Sequence, residues 1–272
     1  FDKMTSYRIG FDVGGTFTDS VVINEETSEI GIAKVLTTPE DPSLGVLSGV
    51  KTLLENNAVP PAAVSKAVTG GTTLITNALI ERKGAHTALI TSKGFRDILE
   101  LGREARYDIY DLFLRMPEPF VPRNLRMEVT ERILKDGSVL EALDEEEVHS
   151  RIDQLIEEKI ESIAICLMHA YINSAHERRI GEMVRKRMPD VSVTLSSDVI
   201  PEIREYERTS TTVANAYVQP LTDRHFRKLA DGLADLGIKG ELFLMQSNGG
   251  IVTANTAREF PIKLTESGPA AG

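Results

Sequence analysis

The residues with the clearest chemical potential lie at positions 10–19, in the segment GFDVGGTFTD. Glycine lets the main chain approach a phosphate because no Cβ stands in the way. The amides of Gly14, Gly15 and Thr16 are therefore predicted to point into one concavity that binds oxyanions. The hydroxyls of Thr16 and Thr18 would add donors, and Asp12 can hold Mg²⁺ through water. The same residues also fit an ordinary tight hairpin with Asp12 as a turn residue.

Other reactive or metal-ligating side chains favour structural roles. Cys166 lies in an apolar run with no adjacent base, which favours packing over nucleophilic chemistry. His169 and His176 suggest a metal site by their proximity, but His176 falls inside a helix-capping sequence, which disfavours it. The sequence contains neither a GxxxxGK[ST] loop nor a GxGxxG fingerprint, so the two familiar nucleotide motifs are excluded.

Hydrophobic periodicity predicts the strands and helices that would position residues 10–19. The glycine pair between two apolar runs indicates a hairpin. The sequence SAHE at 174–177 predicts a capping box, and Pro220 predicts a bent or broken helix. Residues 94–126 form an irregular segment, typical of a functional or contact loop. The predicted strands are 8–13, 17–23, 29–36, 66–69, 87–91, 127–134, 162–168, 191–195 and 241–245, and the predicted helices are 43–55, 72–82, 145–160, 174–188 and 209–237.

Composition limits the class of protein and its partners. The 272 residues are 41% hydrophobic and 26% charged, with a formal net charge of −10. An acidic chain is a poor surface for nucleic acid or anionic membrane, so neither is expected as a partner. The single cysteine fits a reducing compartment, and no apolar run approaches the ~18 residues of a membrane span. With no signal peptide before Met4, these features predict a cytoplasmic α/β protein.

Residues 10–19 resemble the first phosphate motif of the actin and hexokinase superfamily, in which strand-turn-strand replaces the glycine-loop-helix of other nucleotide folds. The sequence DVGGTFTD resembles the form that this motif takes in the hydantoinase A/5-oxoprolinase family. Two departures, Gly70 in place of a frequent His and REARY at 103–107 without the usual Arg-Pro pair, bear on the substrate. The other segments that resemble the family, in its order, are GTTLITNA (71–78), KGFRD (93–97), ERTSTTVANAYV (207–218), MQSNGG (245–250) and ESGPAAG (266–272).

The resemblance implies an α/β fold, the first lobe of an actin-like (ribonuclease H-like) ATPase. A mixed sheet flanked by helices would carry an additional α/β subdomain. The implied domains are a hydantoinase/oxoprolinase N-terminal domain over residues 4–190 and the beginning of the hydantoinase A/oxoprolinase domain over 200–272. The small residues at 267–272 resemble the helix that crosses between lobes. The second phosphate motif and the adenosine motif would lie in a second lobe beyond these residues.

The same resemblance implies ATP and Mg²⁺ as cofactors, with Asp12 as the metal residue. Glu266 is a candidate to orient water or metal, although helix capping explains it equally well. Residues 247–250 either line the ligand cleft or form a plain turn. The implied cofactor-binding residues are Gly14, Gly15, Thr16, Thr18, Ser247, Asn248 and Gly249. The implied substrate residues are Thr72, Thr73 and Asn77, and Asn77 either contacts substrate or caps neighbouring backbone.

The function implied is ATP-dependent opening of a cyclic amide such as a hydantoin or 5-oxoproline. ATP would phosphorylate the amide oxygen and so create a leaving group for attack by water. A hydantoinase B-type subunit or domain would share the reaction in an oligomer. Two alternatives remain: an ATP-dependent ketone carboxylase subunit for acetone or acetophenone, and a non-catalytic binding or assembly fragment that docks through residues 94–126.

Overall fold

The structure is a computed structural model that describes residues 6–38, 41–104 and 110–271. The chain divides into two compact units: unit 1 comprises Phe1–Lys83 and Leu221–Gly272, and unit 2 comprises Gly84–Pro220. The end of the 103–107 segment and the last glycine of ESGPAAG fall outside the described residues. Within the described ranges, no helix combines the length and the apolar character needed to cross a bilayer.

Alternating strands and helices run through both units. In chain order, the strands of the described residues are β1 (Tyr7–Val13), β2 (Phe17–Asn24), β3 (Ile30–Leu36), β4 (Val64–Thr72), β5 (Thr87–Ser92), β6 (Arg126–Val129), β7 (Arg132–Ile133), β8 (Val139–Glu141), β9 (Ser162–Cys166), β10 (Ser192–Leu195), β11 (Glu241–Met245) and β12 (Ile251–Thr253). The helices are α1 (Pro42–Asn56), α2 (Leu74–Ile80), α3 (Ile98–Leu101), α4 (Glu145–Glu157), α5 (Ala175–Arg187), α6 (Ser196–Val199), α7 (Glu205–Asp235), α8 (Ala254–Glu259) and α9 (Ser267–Ala271), with 3-10 turns at Pro61–Ala63, Arg123–Leu125 and Pro261–Leu264.

Unit 1 is built on a mixed sheet in the order β12-β11-β4-β1-β2-β3. Strands β1, β2 and β3 are antiparallel neighbours, whereas β4 is parallel to β1 and β11 is parallel to β4. Alternate residues of β1, namely Ile9, Phe11 and Val13, are buried, as expected of a strand with one face on a core. Helix α1 starts at Asp41, whose side chain accepts a hydrogen bond from the Ser43 amide.

Unit 2 is built on four parallel strands in the order β10-β9-β5-β6. Every residue of β5 and of β9 is buried, because helices and loops cover both faces of a parallel sheet. Helix α4 contributes Val148, Ile152 and Leu155 to this core. Asp144 caps α4 by accepting from the Glu147 amide at 2.9 Å. The prediction of a doubly buried strand at 162–168 is confirmed, with β9 ending at Cys166.

The predicted strand at 127–134 is wrong. The chain forms β6 and β7, which belong to different sheets, and the break between them holds Glu131. The carboxylate of Glu131 is fully buried and accepts hydrogen bonds from the Ser92 hydroxyl and His176 Nδ1. Turning Glu131 inward interrupts the strand, because the buried carboxylate must reach these partners.

The predicted capping box at 174–177 is also wrong. Helix α5 begins as expected, but Ser174 makes no side-chain cap, and the Ala175 amide donates to the Asn173 side chain. Glu177 is fully buried and accepts from the Leu167 amide at 2.9 Å. It also accepts from the Ser196 hydroxyl at 2.6 Å and the Ser197 amide at 2.9 Å. Glu177 therefore joins α5 to the ends of β9 and β10.

The helix is not broken at Pro220, which excludes one of the two predicted alternatives there, and α7 begins at Glu205 instead of residue 209. Proline removes one backbone donor from a helix and crowds the preceding turn. Val218 and Thr222, on either side of Pro220, are fully buried. The helix continues to Asp235.

The buried acceptor role of Glu177 predicts a stability difference within α5. Glu177→Gln places an amide NH₂ where a carboxylate oxygen accepts, so at least one buried donor loses its partner. We expect a loss of about 1–3 kcal/mol in the free energy of unfolding. Chemical denaturation of the variant against the unsubstituted protein measures it.

Glu182→Gln, on the exposed side of the same helix, is the matched control. Its side chain is 67% exposed and pairs only with Arg179 in this structure. We expect a change within about 0.5 kcal/mol for such a surface site. Equal destabilisation by the two substitutions would contradict the assigned role of Glu177.

Candidate functional site

The glycine turn joins β1 to β2 in unit 1. The Gly14 amide donates to the Phe17 carbonyl at 3.0 Å, which closes the turn. Neither Gly14 nor Gly15 adopts a positive φ, so their use here is close approach of the backbone and not a left-handed conformation. In the described part of the chain, the amides of Gly15 and Thr16 have no hydrogen-bond acceptor. Of the three amides predicted to bind an oxyanion, that of Gly14 is used inside the turn.

Thr18 supports the turn from inside the protein. Its side chain is fully buried, and its hydroxyl lies 3.0 Å from that of Thr37. The Thr37 hydroxyl donates to the Gly14 carbonyl at 2.8 Å, so its single proton is used and Thr18 must be the donor to Thr37. The Thr37 amide in turn donates to the Thr16 carbonyl at 2.9 Å. Thr18 thus shapes the turn, whereas Thr16 is exposed.

Asp12, at the end of β1, faces the end of β4 and the start of α9. A Cβ built on Gly71 would lie 2.6 Å from Asp12 Oδ1 and 2.8 Å from the Gly268 Cα. Real Cβ atoms essentially never come this close to other heavy atoms. Only glycine at position 71 lets the Asp12 carboxylate and the Gly268 backbone meet. We call these three residues the glycine cradle.

The segment after the glycine cradle is fixed by contacts that span much of the sequence. The Thr72 amide donates to the Ser267 hydroxyl at 3.2 Å, and both residues are buried. The Thr76 hydroxyl donates to the Thr265 carbonyl. The predicted substrate residue Thr72 therefore binds Ser267, at the start of α9. Thr73 is exposed at the start of α2.

The turn between β11 and β12 contacts the residues that lead into α9. Ser247 donates through its amide and its hydroxyl to the Lys263 carbonyl, at 2.8 and 2.9 Å. Its hydroxyl also accepts from the Glu266 amide at 3.0 Å. The Asn248 side chain accepts from the Gly250 amide at 2.9 Å, and Gly249 has a φ of 82°. Ser247 thus binds residues 263–266, which lead into α9, while Asn248 and Gly249 form the turn itself.

Glu266 precedes α9, and its carbonyl accepts from the Ala270 amide at 3.2 Å, as the first residue of a helix does. Glu266 is exposed. The backbone of Glu266 therefore has a capping role.

A cleft of about 630 Å³ opens beside the glycine turn, within unit 1. It contains the predicted phosphate residues Gly14 and Gly15 and the predicted substrate residues Thr73 and Asn77. Asn77 donates to the Thr73 hydroxyl at 3.4 Å. The residues that line the cleft come from the glycine turn, the start of α1, α2 and α7, and are Val13, Gly14, Gly15, Thr37, Asp41, Pro42, Thr73, Leu74, Asn77, Ala78, Glu81, Lys83, Leu221, Arg224, His225 and Lys228.

The sequence did not predict that α7 forms one wall of the cleft. Leu221, Arg224, His225 and Lys228 follow the i, i+3, i+4, i+7 spacing that places residues on one helix face. The polar residues on this face, inside a helix predicted at 209–237, were the available signal. Lys228 pairs with Asp41 at 2.9 Å, which joins this wall to the start of α1.

The reactive side chains of unit 2 occupy structural positions. Cys166 is buried and lies 3.2 Å from the Thr209 hydroxyl, and burial raises the pKa of its thiol. His169 Nδ1 lies 2.8 Å from the Ile133 carbonyl, and His176 Nδ1 lies 2.8 Å from Glu131. Across the ranges that the structure describes, no group of three His, Cys, Asp or Glu side chains could hold a metal ion.

Two family models match this chain in consecutive segments. Residues 8–188 match the hydantoinase/oxoprolinase N-terminal region, and residues 208–272 match hydantoinase/oxoprolinase. Caprolactamase subunit alpha of Pseudomonas jessenii is 36% identical over 97% of this chain and 38% of its own length. The chain therefore spans about two fifths of that relative.

Solved structures share the fold. The ATP-dependent caprolactamase of Pseudomonas jessenii gives a TM-score of 0.87 at 35% identity, over 97% of this chain and 39% of that chain. Nucleotide-free acetone carboxylase gives 0.86 at 27% identity, over 98% of this chain and 39% of that chain. The predicted α/β fold with a mixed sheet is confirmed, and this chain belongs to the hydantoinase/oxoprolinase family.

Proposed function

We propose that this chain is the N-terminal, phosphate-binding portion of an ATP-dependent enzyme that opens a cyclic amide. Phosphorylation of the amide oxygen would create the leaving group that an unstrained amide lacks. The observation that carries the proposal is the glycine cradle, where Asp12, Gly71 and Gly268 meet beside a turn with two unpartnered amides. Phosphoryl transfer of this kind requires that the reactants be positioned and their charge neutralised, more than it requires a protein nucleophile.

The residues present suit a magnesium nucleotide. Asp12 is exposed and has no ion pair or hydrogen bond within the described ranges, so its carboxylate is available. Mg²⁺ is commonly held by one or two protein carboxylates together with phosphates and water, so a single aspartate suffices. The amides of Gly15 and Thr16 can donate to a phosphate oxygen. Bound MgATP would supply the phosphoryl group, and Asp12 and these amides would orient it.

The cleft is the proposed place of the cyclic amide. Its volume of about 630 Å³ lies within the usual range of small-molecule sites. Thr73 and Asn77 line it together with Gly14 and Gly15, so substrate and phosphate residues face one space. We assign Thr72 a supporting role, because its amide binds Ser267. Ser247 and Glu266 would hold the crossover segment against the phosphate site.

The wider assembly is part of the proposal. The strand-turn-strand of β1 and β2 supports an actin-like ATPase lobe over these residues. The predicted domains, 4–190 and 200–272, would then continue into a second lobe that completes the nucleotide site. A B-type subunit or domain would share the reaction, in keeping with a relative described as a subunit alpha.

The second candidate function is ATP-dependent carboxylation of a ketone. The fold agreement with acetone carboxylase, at a TM-score of 0.86, favours it. Both functions use the same phosphate site, because each begins by phosphorylating a carbonyl oxygen. They differ in the molecule that occupies the cleft.

Asp12→Asn tests the phosphate site in the complete protein with its B-type partner. Loss of the carboxylate removes the proposed Mg²⁺ residue, so we expect ATP turnover to fall at least about 100-fold, in line with the loss of a charge-stabilising group. Phosphate release is measured with 5-oxoproline, hydantoin, and acetone plus bicarbonate. Stimulation by a cyclic amide supports the first function, and stimulation only by the ketone supports the second.

Asp153→Asn is the matched control, because Asp153 is an exposed aspartate of α4 that pairs with Arg187 and does not line the cleft. We expect Asp153→Asn to leave turnover within about twofold, as an exposed ion pair contributes little. Unchanged turnover in Asp12→Asn would contradict the proposed phosphate site.

Two alanine substitutions test the glycine cradle and the glycine turn separately. Gly71→Ala inserts a Cβ into space held by Asp12 and Gly268, so it should lower both stability and nucleotide affinity. Gly15→Ala has no atom within 4 Å of its new Cβ and should leave the melting temperature unchanged. If a phosphate approaches Gly15, affinity for a non-hydrolysable ATP analogue should still fall. Undiminished affinity in Gly15→Ala, measured by calorimetry, would argue against phosphate at this turn.

A further inference from the structure

One residue outside the glycine motif makes three contacts with it. Thr37 follows β3 directly and lines the cleft. Its hydroxyl donates to the Gly14 carbonyl at 2.8 Å, and its amide donates to the Thr16 carbonyl at 2.9 Å. Its hydroxyl oxygen also lies 3.0 Å from that of Thr18. Thr37 therefore contacts every second residue of the motif from position 14 to position 18.

The bond to the Gly14 carbonyl determines where the next amide points. The Gly14 carbonyl and the Gly15 amide belong to one peptide group, which is planar and trans, so its C=O and N–H point in opposite directions. Because the carbonyl is held on the side of Thr37, the N–H of Gly15 is directed away from Thr37. This amide is one of the two donors that the proposed function assigns to phosphate.

The peptide group between Gly14 and Gly15 needs an external constraint to keep one orientation. Neither of its two residues carries a Cβ, and glycine populates conformations with positive and negative φ at similar cost. A Cβ built on Gly15 would meet no atom within 4 Å, so packing does not confine this residue. The bond from the Gly14 amide to the Phe17 carbonyl fixes the preceding peptide group instead. The Thr37 hydroxyl is the observed contact that fixes the Gly14 carbonyl.

The hydroxyl of Thr37 is itself held in place. Its single proton is donated to Gly14, and Thr18 donates to its oxygen. Thr18 is fully buried, so water cannot replace Thr37 as its partner. A Cβ built on Gly45 of α1 would lie 3.5 Å from the Thr18 hydroxyl and 3.4 Å from the Leu36 carbonyl, so α1 packs closely against this side of the motif.

We propose that Thr37 is a positioning residue for the phosphate site, which directs the Gly15 amide toward the nucleotide by holding the Gly14 carbonyl. The proton of its hydroxyl is used in this bond and is not available to a ligand in the cleft. A donor that is already oriented needs no reorganisation when charge arrives. The inference rests on the proposed function and adds the residue that orients the phosphate-binding turn.

Thr37→Val removes the hydroxyl and nearly preserves the shape of the side chain. Calorimetry on the complete protein compares a non-hydrolysable ATP analogue, in the presence of Mg²⁺, with adenosine. We expect Thr37→Val to weaken the ATP analogue by about 5- to 30-fold, the usual effect of one or two lost hydrogen bonds. Adenosine has no phosphate, so its affinity should stay unchanged. Thr37→Ser keeps the hydroxyl and should restore most of the affinity for the ATP analogue.

Thr27→Val is the matched control in the turn at the other end of β2 and β3. The Thr27 hydroxyl donates to the Glu29 carboxylate at 3.1 Å and accepts from the Glu29 amide at 3.3 Å. This substitution also removes a hydroxyl that supports a turn, and it should leave the affinities for both ligands unchanged. Equal weakening of the ATP analogue by Thr27→Val and Thr37→Val would overturn a local role for Thr37.

Three further outcomes would overturn the inference by itself. If Thr37→Val weakens adenosine as much as the ATP analogue, the substitution disturbs the whole site and not the phosphate contact. If Thr37→Ser binds the ATP analogue as weakly as Thr37→Val, the hydroxyl is not the group that matters. If Asp12→Asn weakens the ATP analogue and Thr37→Val does not, the phosphate site stands without Thr37.

A different pattern would overturn the proposed function as well. If Asp12→Asn, Gly15→Ala and Thr37→Val all leave the affinity for the ATP analogue unchanged, the glycine turn does not bind phosphate. The phosphate site and the positioning role of Thr37 then fail together.

Discussion

At Gly71 the main chain has room for a hydrogen atom and for nothing larger, because the Asp12 carboxylate and the Gly268 backbone occupy the space of a side chain. Three distant parts of the sequence meet there: the end of β1, the end of β4 and the start of α9. The contacts that fix them are local in space and remote in sequence, as in the bond between the Thr72 amide and the Ser267 hydroxyl. The sheet order places β4 between β1 and β11, which makes this meeting possible.

The proposed phosphate site in unit 1 does not require a basic chain. Backbone amides at Gly15 and Thr16 supply positive potential without any charged side chain. In the cleft of unit 1, Lys228 pairs with Asp41 and Lys83 pairs with Glu81. Net charge is thus a poor guide to a small-molecule site, since a few oriented groups determine the local field.

Sequence patterns predicted the strands of the sheets and the helices between them well, because the periodicity of apolar residues is a local property of the sequence. The hairpin of β1 and β2, helix α1 and strand β11 all occur where the pattern indicated them. Failures occurred where a polar residue has a distant buried partner. Glu177 reads as a helix cap in sequence, and only the fold shows the Leu167, Ser196 and Ser197 donors that surround it.

The same limitation explains why the sequence did not predict α7 as a wall of the cleft, since that position follows from the fold. It also explains Thr18, a hydroxyl in a phosphate motif that is turned inward toward Thr37. The relay from Thr18 through Thr37 to the Gly14 carbonyl ties two positions 19 residues apart into one unit. Replacing either threonine by a residue without a hydroxyl would break this relay. The phosphate motif thus contains a buried side chain whose observed contact is with the loop itself, and that contact supports the shape of the loop.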